Sequence, residues 1–134
     1  MEPTFKEYYP LDGDHQKAAE IMGRYGDKWS LLVVMLLRDG PNRFNAIKRI
    51  LGGISQQMLS STLRNLERDG MVARTVFPTV PPAVEYRLTD LGHSLTKPFI
   101  ALGAWIMDHV TQIEGARDQY DRRAGDKAHS PPSP

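Results

Sequence analysis

Gln56, Gln57, Ser60, Ser61, Arg64 and Arg68 fall at positions i, i+1, i+4, i+5, i+8 and i+12. That spacing gathers side chains on one face of an α-helix. Their chemistry is hydrogen bonding and charge. Glutamine can bond adenine at two points, arginine can fork onto guanine, and serine can reach a base edge or a phosphate. Met58, Leu59, Leu63 and Leu66 make the other, apolar stripe of the same segment. A helix built this way suits the major groove of B-DNA, which is about 12 Å wide and admits one helix. It also suits an ordinary solvated surface, so the reading depends on what surrounds it.

The surroundings are basic. From Pro41 to Arg74 there are six basic residues (Arg43, Lys48, Arg49, Arg64, Arg68 and Arg74) and two acidic ones, Glu67 and Asp69. The whole chain of 134 residues carries a formal charge of only +1, so the positive charge is local. A local basic patch is what phosphate binding requires. Arg43, Lys48 and Arg49 stand where they could clamp the backbone.

Other chemistries find no support. There is no cysteine, which removes disulfides, thiolate zinc sites, iron–sulfur clusters and thiol redox sensing within the chain. His15, His93, His109 and His129 have no paired metal-ligand spacing. No P-loop, dinucleotide fingerprint or nucleophile elbow occurs, and nothing groups the Ser, His and Asp residues. We expect no enzyme activity, no cofactor and no metal. Met1 to Gly13 lacks the pattern of a signal peptide, and the longest apolar run, Leu31 to Leu37, is too short to span a bilayer. The expected location is cytoplasmic, with no membrane partner.

The elements that must position the polar face follow from periodicity and breakers. Residues 1–13 read as an arm. Ala18, Ile21, Met22 and Tyr25 mark an amphipathic helix from Asp14 to Tyr25, ended by Gly26. Asp27 is the expected N-cap of a helix from Lys28 to Arg38 that is apolar nearly all round and so central. Asp39-Gly40-Pro41 stops it. A third helix is expected from Arg43 to Leu51, with Phe44, Ile47 and Ile50 or Leu51 inward. Gly52-Gly53 breaks it. The polar-faced helix follows, capped by Ser55 and closed at Asp69 by Gly70.

The period then changes. Met71 to Phe77 and Val84 to Leu88 read as two strands joined through Pro78-Thr79-Val80-Pro81-Pro82, a stiff exposed tip that cannot continue a ladder. Thr89 caps a long helix with the stripe Leu91, Leu95, Phe99, Leu102, Ile106, Val110 and Ile113, which Pro98 is expected to kink. Ile100, Trp105 and Met107 lie outside that stripe, so this helix has apolar surface for its own domain and for a partner. From 115 to 134 the composition predicts a disordered tail. The domain proper is 14–114.

Two helices joined by a glycine turn, then a hairpin and a long helix, give the order of a winged helix-turn-helix. At this point the sequence resembles the HxlR-type regulators, whose architecture is related to the MarR group. Gly26-Asp27-Lys28-Trp29-Ser30-Leu31-Leu32 is similar to their "GGKWTLL" opening. The likeness continues through Gly40-Pro41-Asn42-Arg43-Phe44 and Gly53-Ile54-Ser55-Gln56-Gln57-Met58-Leu59. It runs on from Leu63 to Val72 and closes with Val80-Pro81-Pro82-Ala83-Val84-Glu85-Tyr86 and Leu88 to Gly92.

The resemblance implies sequence-specific binding to double-stranded DNA near promoters, by a homodimer formed through the N-terminal helix and the long C-terminal helix. It places Ser55, Gln56, Gln57, Ser60, Ser61 and Arg64 toward the groove. Thr79, Val80 and Pro81 belong to a wing tip that ends at Pro82, and Arg43 would approach the backbone, where the basic patch also puts Lys48. The implied dimer contacts are Ile21, Leu95, Phe99, Leu102, Trp105, Ile106 and Val110. A small-molecule effector pocket could be lined by Tyr25, Trp29, Phe99 and Trp105, although a filled aromatic core accounts for the same residues. Two departures stand out. Many relatives carry a cysteine where this chain has Gln16, and a lysine is common at Gln57.

We therefore expect a mainly α protein with a small β hairpin (α+β), a winged helix-turn-helix with a long C-terminal dimerisation helix. Its expected function is repression of transcription from a palindromic operator. The alternatives are a winged-helix module that binds another protein, or a ligand sensor that does not read DNA directly.

Overall fold

The computed structural model describes residues 13–129 together with Glu2, Thr4 and Glu7. Most of the expected N-terminal arm and the last five residues of the expected tail lie outside them. The elements run α1 (Gly13–Tyr25), α2 (Lys28–Leu37), β1 (Asn42–Arg43), α3 (Phe44–Leu51), α4 (Gln56–Arg68), β2 (Val72–Phe77), β3 (Ala83–Leu88) and α5 (Asp90–His129). The chain divides into two units, residues 1–97 and 98–134.

In the first unit, α2 is the centre of the core. Val33, Val34 and Leu37 are almost wholly buried, and they pack with Ile47 of α3, Leu59, Leu63 and Leu66 of α4, and Val72, Tyr86 and Leu88 of the sheet. Asp27 occupies the N-cap position of α2 with extended backbone, yet its side chain makes no capping bond. Only its carbonyl serves the helix, accepting from the Leu31 N–H at 3.2 Å.

The turn between α3 and α4 uses two successive glycines at positive φ, Gly52 at 57° and Gly53 at 74°. Side chains rarely adopt this left-handed backbone, so the pair reverses the chain in the space of two residues. Ile54 then anchors the turn in the core. Ser55 caps α4 as expected, its Oγ accepting from the Met58 N–H at 3.0 Å.

The sheet corrects the sequence expectation. It has three strands in the order β1-β3-β2, all antiparallel. Arg43, expected at the start of a helix, pairs with Glu85, and Asn42 before it pairs with Tyr86. Arg43 is the N-cap of α3, with φ −79° and ψ 156°. An N-cap residue is extended by nature, so the same conformation both starts the helix and adds a short edge strand. The β2–β3 hairpin keeps its register from Val72↔Leu88 to Phe77↔Ala83. At its tip Thr79 Oγ1 donates to the Pro81 carbonyl at 2.8 Å, and Val80 is fully exposed.

Two inward assignments also change. Met58 is half exposed, whereas Thr62, read as neither face, is buried. Of the pair Ile50 and Leu51, Leu51 is the more covered.

The described part of the second unit is the rest of α5. Trp105 and His109 stack one turn apart, with ring centroids 4.2 Å apart, and His109 Nδ1 donates to the Trp105 carbonyl at 2.6 Å. Leu102, Trp105, Ile106 and Met107 are between 42% and 76% exposed. The helix runs on to His129, whereas composition pointed to disorder from 115. Arg, Gln and Ala are good helix formers, and Asp118 and Arg122 stand four residues apart in the favourable order, so the charged segment can extend an existing helix. Among the described residues no helix is long and apolar enough to cross a membrane.

Candidate nucleic-acid interface

The polar face of α4 is assembled by capping at both ends. Ser55 fixes its start. At its finish the Gly70 N–H donates to the Glu67 carbonyl at 3.0 Å and the Met71 N–H to the Leu66 carbonyl at 2.9 Å. With Gly70 at φ 78°, this is the paired closure of a Schellman cap. Between the caps, Leu59, Thr62, Leu63 and Leu66 bury one side. Gln56, Gln57 and Arg64 are left exposed, with Ser60 and Ser61 half-buried between them.

These five residues line one open depression. Ser60 and Arg64 also belong to a second depression, which continues to Glu67, Arg74 and the rim of Tyr86. The face therefore extends from α4 onto the root of the hairpin. Among the described residues Arg64 forms no ion pair, whereas Arg74 Nε lies 3.9 Å from Glu67 Oε2. Of these two arginines, Arg64 is the one at the centre of the polar face.

Other predicted site residues sit elsewhere. Arg43 is exposed on the edge strand, opposite Glu85, and Lys48 is half-buried on α3. Thr79, Val80 and Pro81 are exposed at the hairpin tip. None of these lines either depression. Glu67, Arg74 and Tyr86 were not singled out for the site. The opposite charges of Glu67 and Arg74, seven positions apart across the Gly70 turn, were a signal that could have paired them.

Trp29 is half-buried, with Lys28 Nζ 4.7 Å from its ring centroid. The hydroxyl of Tyr25 donates to Asp69 Oδ2 at 2.7 Å. Burial first, and then that bond and the carboxylate charge, push the Tyr25 hydroxyl well above its ordinary value. Phe99 and Trp105 belong to the second unit, half-buried and exposed respectively. Among the described residues no group of three or more His, Asp or Glu could hold a metal ion.

The model of the HxlR-like helix-turn-helix family matches residues 25–114. The chain belongs to that family. Among its relatives is YkvN of Bacillus subtilis, an uncharacterized HTH-type transcriptional regulator 49% identical over 96 residues, 72% of this chain and 80% of that protein. YtfH of Escherichia coli, likewise an uncharacterized HTH-type transcriptional regulator, is 37% identical over 100 residues, covering 75% and 79% of the two chains. The solved structure of the redox regulator HypR in its reduced form superposes with a TM-score of 0.68 at 35% identity, over 74% of this chain and 98% of that one. The architecture is thus that of the winged-helix HxlR-like regulators. α3 and α4 form the helix-turn-helix, β2 and β3 the wing, and α5 the long C-terminal helix. This protein is a transcriptional regulator.

Proposed function

We propose that the protein is a homodimeric, cytoplasmic repressor that binds a palindromic operator, inserting α4 into the major groove and laying the wing alongside it. The observation that carries this reading is that Gln56, Gln57, Ser60, Ser61 and Arg64 line one open depression. It holds the side chains that can bond base edges, on a helix capped at both ends. Arg43, Lys48 and the wing tip supply backbone contacts around it. The dimer is supported by Leu102, Trp105 and Ile106 of α5 and Ile21 of α1, all of which are 42–53% exposed. Two reading helices must stand one DNA turn, about 34 Å, apart to match two half-sites.

Fluorescence anisotropy tests it. The purified protein is titrated into DNA from around its own coding region and into a scrambled duplex, across a salt series. Tight binding to one fragment, two protomers per site and a steep negative salt slope are expected. Equal weak binding to both, together with equal weak binding to duplexes selected from a random pool, sinks the reading and leaves a protein partner for the basic face. A signal carried by thiol oxidation within this chain is ruled out by its composition.

A further inference from the structure

Residues 69–71 join four elements. From one side, Arg24 Nη1 donates to both carboxylate oxygens of Asp69, each at 3.0 Å, and Tyr25 adds its hydroxyl at 2.7 Å. Asp69 is the C-cap of α4. From the other side, the Thr89 hydroxyl donates to the Gly70 carbonyl and the Thr89 N–H to the Met71 carbonyl. The end of α4 is thus gripped by α1 across 45 residues of sequence and by the start of α5 across 19. The Arg24 and Asp69 side chains are only 27% and 20% exposed, so water competes less for this pair than for a surface one.

Gln56 and Gln57 sit at the opposite end of α4 from this grip. A tilt of about 5° about one end of a helix of this length, about 20 Å, moves the other end by roughly 2 Å. Hydrogen bonds to base edges tolerate only a few tenths of an ångström. Whatever fixes the C-terminal end therefore decides whether the N-terminal end can read. We propose that Arg24 and Tyr25 are positioning residues for operator recognition: acting through Asp69, they set the angle at which α4 enters the groove, without lining the face that touches DNA. This rests on α4 being the reading helix.

The test starts from the duplex that the full-length protein enriches from a random-sequence pool. Affinity for that duplex and for a scrambled one is measured by anisotropy for Arg24→Ala, Tyr25→Phe, Asp69→Asn and the Arg24→Ala/Asp69→Asn pair, with Gln56→Ala as control. Thermal melting checks that each variant is folded at the assay temperature. Arg24→Ala and Asp69→Asn are each expected to lose about tenfold in affinity for the selected duplex. Affinity for the scrambled one and its salt slope stay unchanged, and the double variant is no worse than either single.

If Arg24→Ala unfolds the chain, Tyr25→Phe, which removes one oxygen, carries the test with a smaller loss of the same kind. An equal loss on both duplexes makes Arg24 a phosphate contact and overturns the proposal. Full discrimination in folded clamp variants, while Gln56→Ala loses it, reduces the clamp to ordinary stability and also overturns it. Full discrimination in Gln56→Ala as well, or no enrichment of any duplex, removes the reading helix itself, and the proposal falls with it.

Discussion

Arg64 is the cation at the middle of the polar face, exposed and without an ion pair among the described residues. If it forks onto a guanine, Arg64→Ala costs about 1–3 kcal/mol of specific binding. The check is anisotropy on operator and scrambled DNA side by side; equal losses would mark it as a phosphate contact alone. Tyr25 behaves differently with pH. Its hydroxyl is held protonated in the fold above the value it has in the unfolded chain. The stability this gives is complete below about pH 10 and is lost as pH rises from there toward the folded value. Urea midpoints of the wild type should thus fall more steeply than those of Tyr25→Phe above about pH 10, and parallel curves would rule the effect out. The polar face was legible in the sequence because helical spacing alone gathers it. The clamp on Asp69 was not, because its partners are 44 and 45 residues away and no local pattern links them.

The elements show how much depends on their ends. Ser55→Ala removes the one side-chain bond at the start of α4 and should cost about 1 kcal/mol of stability. A urea midpoint unchanged from wild type would mean that water replaces the cap. Gly92 has a stricter demand. A Cβ there would stand 2.1 Å from the Met71 carbonyl oxygen and 3.0 Å from Leu88 Cδ2. The first obstacle is backbone and cannot swing aside, so Gly92→Ala should destabilise by about 1–3 kcal/mol, read from the same denaturation curves. Breakers and caps made most element boundaries readable. The edge strand at Asn42 and Arg43 escaped because two residues carry no period, and because its partner β3 follows some forty positions later. Met58 and Thr62 exchanged roles for a related reason. An apolar stripe states a direction, while the depth of each residue depends on how far along the helix the neighbours reach.

At the scale of the whole chain, the long helix is where sequence and structure diverge most. Charge-rich composition after residue 115 reads as disorder, yet the backbone stays helical to His129. Composition measures the lack of a core and says little about whether a helix already under way will continue. The apolar side chains of α5 were legible as a stripe, and their exposure is what the proposed dimer has to cover. Replacing both Leu102 and Ile106 by Asp should shift the protein toward monomer and weaken operator binding together, as measured by sedimentation and anisotropy over the same concentration range. A variant that stays dimeric would relocate the interface away from this part of α5.

The bare flank of α5 also bears on how long the protein survives. Leu102, Trp105 and Met107 are more than half exposed in a single chain, and a chain that unfolds more often for want of a partner is removed sooner by chaperones and proteases. In the proposed dimer, pairing would cover that flank, and pairing follows mass action. Newly made chains at low abundance would then be cleared faster than those made when copies are plentiful. With the proposed dimer, the regulator's turnover would become a function of its own supply.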